Sequence, residues 1–387
     1  MNIIIYCQHV LGVGHFFRTL EVAKAMISHR VTLVTGGGRL DIRLPSHIRR
    51  VELPGLMMDA SFSGIYPANG RTAVEEVKKE RRQILLDLVQ TLQPDLLFIE
   101  LYPFGRKAFR FELEPVLEYI SQAGGPSCKV VCSIRDILVE KEDQHLHEMR
   151  AVNALNRWFD SVLVHADPRL IKLSETFSRM AQIKIPIQYT GFVTPLPDPD
   201  MVRHYRKQTG LSEKGKLIVA SIGGGNVGKE LLTGVIRAYR MLPVKDDRLL
   251  WVFTGPYMDD TDKKEIHGLS GPGIRVDTFC DDFVSLLSAA DLSVSMAGYN
   301  TCMNIVAAGV PSLAWPFDHN REQRERIRKL MPFIPIIRLD NRDLDPAVLS
   351  PVIGAQLEQK KPPSGNRLNI SGAQQAVKTI ERLCNDH

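Results

Sequence analysis

The sequence predicts an α/β protein of two doubly wound, Rossmann-like domains, and three observations predict it. The chain has 387 residues, more than one hydrophobic core usually serves, so two domains of ordinary size are expected. Strand-length apolar runs alternate with amphipathic helical stretches from the first residue onward, which is the pattern of βαβ units and a parallel sheet. Near Gly191 this texture breaks into Gly-Phe-Val-Thr-Pro-Leu-Pro-Asp-Pro-Asp, where prolines and aspartates disfavour regular structure. The boundary is placed there, with a first domain over 1–192 and a second over 193–387.

Taken in order, Asn2 to Cys7 reads as a strand, Arg18 to Ser28 as a helix with apolar residues at helical spacing, and Arg30 to Thr35 as a second strand. Leu96 to Ile99, Lys129 to Ser133 and Ser161 to Val164 are further strands of the first domain. In the second, strands are expected at Lys216 to Ser221, Leu249 to Thr254, Leu292 to Ser295 and Pro311 to Pro316. Lys360 to Gly365 reads as a loop, and Ser371 to Cys384 as a terminal helix with Ser371 at its N-cap. That helix is assigned to the second domain.

Apolar residues make up 44% and charged residues 24% of the chain, as in an ordinary globular protein. The longest apolar runs are far below the roughly 20 residues that span a bilayer. The start, Met-Asn-Ile-Ile-Ile-Tyr, lacks the cationic region of a signal peptide and reads as a first strand, so a cytoplasmic location is expected. Six cysteines lie apart with no C-x-x-C pair, which indicates neither zinc nor a disulfide framework. A net charge of +5 suits an anionic nucleotide or an acidic membrane surface and is too small to imply nucleic-acid binding.

Three stretches carry chemistry. In Leu11-Gly-Val-Gly-His-Phe-Phe-Arg18, between the first strand and its helix, backbone amides and the helix dipole favour an anion, and Gly12 and Gly14 allow close approach. The third glycine of the dinucleotide fingerprint is missing, and the second strand ends in Thr35-Gly-Gly-Gly38 rather than a ribose-binding acid, which disfavours a nicotinamide enzyme. His15 is a candidate general base for an acceptor hydroxyl; from its position alone it equally caps the helix or bonds a carbonyl. Ser221-Ile-Gly-Gly-Gly-Asn-Val-Gly228 repeats the strand–glycine–helix arrangement, so Gly223, Gly224, Gly225 and Asn226 are candidate phosphate contacts; positive backbone angles are the competing reason for these glycines.

The third stretch runs from Ser293-Val-Ser-Met-Ala-Gly-Tyr-Asn-Thr-Cys-Met-Asn304 through Ile-Val-Ala-Ala-Gly-Val-Pro to Asp-His-Asn-Arg-Glu-Gln-Arg324. It resembles the donor-binding signature of family 28 glycosyltransferases, typified by the N-acetylglucosaminyltransferase that makes lipid II. The resemblance implies the GT-B fold, in which two Rossmann-like domains face a central cleft. It also implies that Ala297, Gly298, Tyr299, Asn300 and Thr301 meet the diphosphate of a nucleotide sugar, which in the family is a UDP-sugar. Asn304 stands where the family has a ribose-binding glutamate. Asp318, His319, Gln323 and Arg324 fall in the sugar-contacting loop, with Gln323 matching one of two adjacent glutamines and Arg324 replacing the other. Gly12 to His15 resembles the glycine–histidine loop of the lipid II enzyme and of the UDP-sugar hydrolase of pseudaminic acid synthesis, where the histidine is the proposed base.

Tyr102 to Glu112, Ser133 to Ile137 and Gly298 to Thr301 together resemble an uncharacterised bacterial group of predicted glycosyltransferases. Glu100, Arg106, Arg135 and Asp136, at or just after strand ends, are acceptor-side candidates, and Arg135 with Asp136 equally reads as a structural ion pair. The expected reaction is an inverting displacement with no metal and no cofactor, since helix N-termini meet the diphosphate charge and no Asp-x-Asp is read as a site for a cation. The same fold serves nucleotide-sugar 2-epimerases and hydrolases that act on the donor alone, and a non-catalytic nucleotide-sugar-binding protein is a third reading. The acceptor is open, either lipid-linked or a small glycoside. Arg39 to Met58 mixes arginines with Leu44, Leu53, Leu56, Met57 and Met58, which suits peripheral contact with anionic lipid at the inner face of the membrane or an ordinary surface loop.

Overall fold

The structure is a computed structural model that describes residues 1–8, 14–37, 42–58, 64–70, 72–138, 143–243, 247–317, 321–359 and 368–385. The chain divides into two compact units, 1–193 together with 371–387, and 194–370.

The first unit holds β1 (Asn2–Tyr6), α1 (Gly14–Ala25), β2 (Arg30–Thr35), β3 (Ile48–Glu52), the short hairpin β4 (Leu56–Met58) and β5 (Ile65–Pro67), α2 (Val74–Leu92), β6 (Leu96–Glu100), α3 (Arg110–Ser121), β7 (Lys129–Ile134), α4 (Gln144–Trp158), β8 (Ser161–Val164) and β9 (Ile187–Tyr189). Seven of these strands form one parallel sheet in the order β3-β2-β1-β6-β7-β8-β9. Central strands such as β6, Leu-Leu-Phe-Ile-Glu, are buried along their whole length, because helices cover both faces of a parallel sheet.

The second unit holds α5 (Pro199–Gln208), β10 (Lys216–Ser221), α6 (Lys229–Met241), β11 (Arg248–Phe253), α7 (Asp260–His267), β12 (Ile274–Asp277), α8 (Phe283–Ala289), β13 (Leu292–Met296), α9 (Tyr299–Ala308), β14 (Ser312–Trp315), α10 (Arg321–Leu330), β15 (Ile336–Arg338) and α11 (Pro346–Glu358). Its six strands run in the order β12-β11-β10-β13-β14-β15, all pairs parallel. Asp198 opens α5 by accepting the Asp200 amide at 2.8 Å, with Pro199 in the first helical position where its missing N–H costs nothing.

The terminal helix α12 (Gly372–Asn385) departs from the expected division, because it belongs to the first unit. Ser371 bridges Val193, and the Gly372 amide donates to the Phe192 carbonyl at 3.0 Å. A β-carbon on Gly372 would stand 2.3 Å from the Gly191 carbonyl oxygen, so only glycine fits that crossing. Ala373, Ala376 and Ile380 then bury one stripe among Phe16, Leu20 and Ala23 of α1.

The 42–58 stretch turns its apolar residues inward: Leu53 and Leu56 are buried and Leu44 packs against the same core, while Arg43 and Arg49 face solvent. Strand β3 shows no continuous apolar face, Met57 and Met58 of β4 are half-buried, and Arg39 lies outside the described residues. No helix among the described residues is long and apolar enough to cross a membrane.

Candidate active site

In an open parallel sheet, ligands collect beyond the carboxyl ends of neighbouring strands whose connections leave in opposite directions. In the first unit that point falls between β1 and β6. His15, the second residue of α1, and Glu100, the last residue of β6, meet across it, with Nδ1 of His15 2.9 Å from Oε1 of Glu100. Glu100 is buried, and its side chain also accepts hydrogen bonds from Arg18 and, on Oε2 at 3.0 Å, from Ser133.

A carboxylate accepts and does not donate, so at this distance Nδ1 of His15 carries the proton and Nε2 is left as a lone-pair acceptor. Burial lowers the His15 pKa to about 3, the Glu100 hydrogen bond opposing it and the Arg106 and Arg18 charges adding to it. The imidazole is thus neutral at physiological pH, while 21% of its side chain stays exposed. Arg18, with the hydrogen bond from His15, holds the Glu100 carboxyl far below its usual range against the opposing cost of burial. The free Nε2 of this neutral, oriented and partly exposed imidazole can accept a proton.

Glu100 is thus a buried partner of His15, Arg18 and Ser133. Asp136 is also buried, with Oδ1 accepting the Ile137 amide at 2.8 Å. Arg135 is half-buried just beyond β7. Arg106 adopts a left-handed conformation (φ 57°), and its buried Nε has no hydrogen-bond partner among the described residues. The Tyr102 to Glu112 stretch is largely core: Tyr102, Phe104, Phe109 and Glu112 are buried, and Glu112 accepts from Arg81 Nε at 2.7 Å and Nη2 at 2.6 Å. Gly14 opens α1, and Gly12 lies outside the described residues.

In the second unit the corresponding point lies between β10 and β13. The loop 222–228 follows β10, and Ala297–Gly298 follows β13 and leads into α9, whose first amides have no partner within the helix. The Thr301 hydroxyl lies 4.0 Å from the positions that β-carbons on Gly223 and Gly298 would occupy, so the two loops converge on it. Gly223 and Gly225 have positive φ (69° and 98°), and a β-carbon on Gly225 would stand 2.6 Å from the Thr254 carbonyl. Turn geometry and packing therefore account for those two. Gly224 has neither constraint, with only the Tyr257 ring at 3.7 Å, and Gly223 and Asn226 are exposed.

Ala297 and Tyr299 are buried, so only their backbone is offered to a ligand, while Asn300 and Thr301 are partly exposed. Asn304 uses Oδ1 to accept from Thr194 at 2.9 Å. Gln323 Oε1 accepts the Phe317 amide at 2.9 Å, and Arg324 is exposed on α10. Asp318 and His319 lie outside the described residues. Arg326 escaped the sequence reading: it is buried, donates to the Ala297 carbonyl at 3.4 Å and places its guanidinium 5.6 Å from the Tyr299 ring centre. Its position three residues after Gln323 on one helix face was the available signal.

Against known proteins, residues 219–379 match the Glycosyltransferase family 28 C-terminal domain. The chain is similar to the UDP-N-acetylglucosamine--N-acetylmuramyl-(pentapeptide) pyrophosphoryl-undecaprenol N-acetylglucosamine transferase of Salinibacter ruber, 29% identical over 38% of this chain and 39% of the relative. The enzyme of the same name from Salmonella dublin is 24% identical over 56% of this chain and 55% of its own length. The chain thus spans about half the length, or less, of these curated relatives. Among solved structures, MurG of Acinetobacter baumannii superposes with a TM-score of 0.59 at 15% identity over 98% of this chain and 99% of that one. The glycotransferase of kitacinnamycin does so with a TM-score of 0.61 at 14% identity over 99% of each.

The fold is that of the GT-B glycosyltransferases, two Rossmann-like domains in one chain. Within that class the chain is family 28-like and resembles the lipid II-forming enzyme.

Proposed function

We propose that the chain is an inverting glycosyltransferase that moves a sugar from a nucleotide diphosphate sugar, UDP-linked, to a hydroxyl acceptor. The observation that carries the reading is the coincidence of the family 28 match with the strand-order reversal of the second sheet, where the 222–228 loop and the start of α9 converge on Thr301.

In this reading the diphosphate lies against the Gly223–Gly224 backbone, the Asn226 side chain, the amides that open α9 and the Thr301 hydroxyl. These fixed donors and the α9 dipole take up the charge of the departing nucleotide diphosphate, with no metal or cofactor called for. Arg326 braces that loop from beneath. Asn304, with Oδ1 engaged by Thr194, offers its amide N–H to the nucleotide ribose. Gln323 and Arg324 contact the sugar.

On the first domain, Nε2 of His15 takes the acceptor hydroxyl proton while the oxygen attacks the anomeric carbon from the face opposite the leaving phosphate, which inverts the configuration. Glu100 stabilises the imidazolium that forms. Gly14, Arg106 and Arg135 border this position and are proposed to face the acceptor. Work at the inner face of the membrane on a lipid-linked acceptor is proposed by analogy with the named relatives.

The test is calorimetric titration of the chain with nucleotide diphosphates and nucleotide sugars, followed by a product assay in wild type and His15→Ala. Binding of a UDP-sugar, with slow hydrolysis that requires His15, is the expected result. No binding of any nucleotide diphosphate at millimolar concentration overturns it.

A further inference from the structure

Behind Glu100 lies a set of buried polar side chains for which the proposed chemistry has no direct use. The carboxyl ends of β6, β7, β8 and β9 lie side by side, and each contributes one polar residue there. Glu100 ends β6 and pairs in register with Ser133 of β7, His165 follows β8, and Thr190 follows β9. All four are buried.

Ser133 Oγ is 3.0 Å from Glu100 Oε2 and 2.9 Å from His165 Nε2, and His165 Nδ1 is 2.8 Å from Thr190 Oγ1. The direction of every link follows from the chemistry of the groups. Glu100 only accepts, so the single Ser133 hydroxyl proton points to it. Ser133 Oγ must then accept from His165, which puts the His165 proton on Nε2. With the proton on Nε2 and burial lowering the His165 pKa to about 3, the ring is neutral and its bare Nδ1, at 2.8 Å, is the nearest acceptor for the Thr190 hydroxyl, which also has the Gly191 carbonyl at 3.1 Å. Protons along the chain therefore all point toward Glu100, where Arg18 and His15 add theirs from the other side.

We propose that Ser133 and His165 are positioning residues for His15: a polarised chain of hydrogen bonds laid across β6 to β9 pins Oε2 of Glu100, keeps Oε1 aimed at His15, and so fixes the tautomer whose Nε2 accepts the acceptor proton. The inference rests on the proposed role of His15 as base. A carboxylate merely satisfied in a core needs no fixed direction, whereas a base needs its lone pair on one nitrogen and its ring at one angle. Without Ser133 the Glu100 carboxylate keeps Arg18 and His15 on Oε1 but loses its partner on Oε2, and since its last torsion is broad the imidazole is held less firmly to one tautomer.

The experiment reads the tautomers directly, by long-range proton–nitrogen correlation of the imidazole rings in the nitrogen-15-labelled full chain, with His15→Gln and His165→Gln to assign the signals. Wild type is expected to show His15 protonated on Nδ1 and His165 on Nε2. Ser133→Ala is expected to give a mixed His15 tautomer and a kcat for nucleotide-sugar turnover about tenfold lower, part of the contribution of a general base, with the donor KM unchanged. Ser133→Thr, which keeps the hydroxyl, should restore both. His15 protonated on Nε2, His165 protonated on Nδ1, or Ser133→Ala leaving tautomer and kcat at wild-type values overturns the proposal; the first two need no variant and stand even if Ser133→Ala does not fold. The predicted tautomers in a chain that turns over no nucleotide sugar would instead overturn the transferase reading and leave the relay standing.

Discussion

Nδ1 of His15 lies 2.9 Å from Oε1 of Glu100, joining the start of the first helix to the end of a strand 85 residues later. The contact spans the reversal of strand order in the first sheet, and the group it sets beside His15 is a carboxylate already loaded with donors. From it follow a pH signature and an energetic signature.

Acid should destabilise the chain earlier than its carboxylates alone would. His15 and His165 titrate near about 3 when folded, against about 6.5 in an unfolded chain. With both folded values depressed, the unfolded state binds more protons between these limits. Their contribution is therefore complete above pH about 6.5 and is lost as pH falls toward 3, each with a limiting slope of about 1.4 kcal/mol per pH unit. Urea unfolding at pH 7, 6 and 5 measures the slope, and His165→Gln should lower it by up to one proton's worth. A slope unchanged by that variant would show His165 protonated in the fold.

Arg18 should prove a stability residue as well as a charge beside the base. Its side chain is almost wholly buried against Glu100, and removing one partner of a buried pair strands the other, at a cost of about 3–5 kcal/mol. Arg18→Met is expected to lose that much in chemical denaturation. The double variant Arg18→Met with Glu100→Gln should recover part of it, since no charge is then left uncompensated.

The glycines of the 222–228 loop should separate by role. Gly225→Ala forces a β-carbon to 2.6 Å from the Thr254 carbonyl in a positive-φ conformation, so it should lower the melting temperature whether or not a nucleotide is present. Gly224→Ala meets nothing closer than 3.7 Å in the free protein. It should leave the melting temperature near wild type and weaken UDP binding by about tenfold, the loss of roughly one hydrogen bond to a charged group. Thermal melts and calorimetry on both variants check the pair, and equal loss of stability would reject the distinction.

The inner strands were legible because each is a short stretch dominated by apolar and β-branched residues: Arg30 to Thr35, Ser161 to Val164 and Lys216 to Ser221 fold with the predicted limits. The outer strands β3, β9, β12 and β15 were not, since Ile-Arg-Arg-Val-Glu or Ile-Arg-Val-Asp at a sheet edge is only half-buried and tolerates charge. The 222–228 loop was legible as a strand-to-helix connection and His15 as a residue near the start of the first helix, while residues 9–13 of the first glycine loop lie outside the described residues. The partners that give them their chemistry were not, because Glu100, Ser133 and His165 are brought to His15 by sheet order, which no local pattern encodes. Arg81 and Glu112, a fully buried pair 31 residues apart, were hidden for the same reason.

The terminal helix supplies the last test, because its amphipathic stripe was plain and its partner was not. Ala373, Ala376 and Ile380 pack into the core of the first domain, beside Phe16 and Leu20 of the helix that carries His15. Ile380→Ala should cost about 2–5 kcal/mol, the usual loss for a buried isoleucine. Because α12 belongs to the first unit, the loss should fall on that domain's unfolding transition, and UDP binding, assigned to residues 222–304 of the second unit, should hold its wild-type affinity until that transition begins. Loss of UDP affinity in the still-folded variant would mean that α12 serves the donor domain, against the packing seen here.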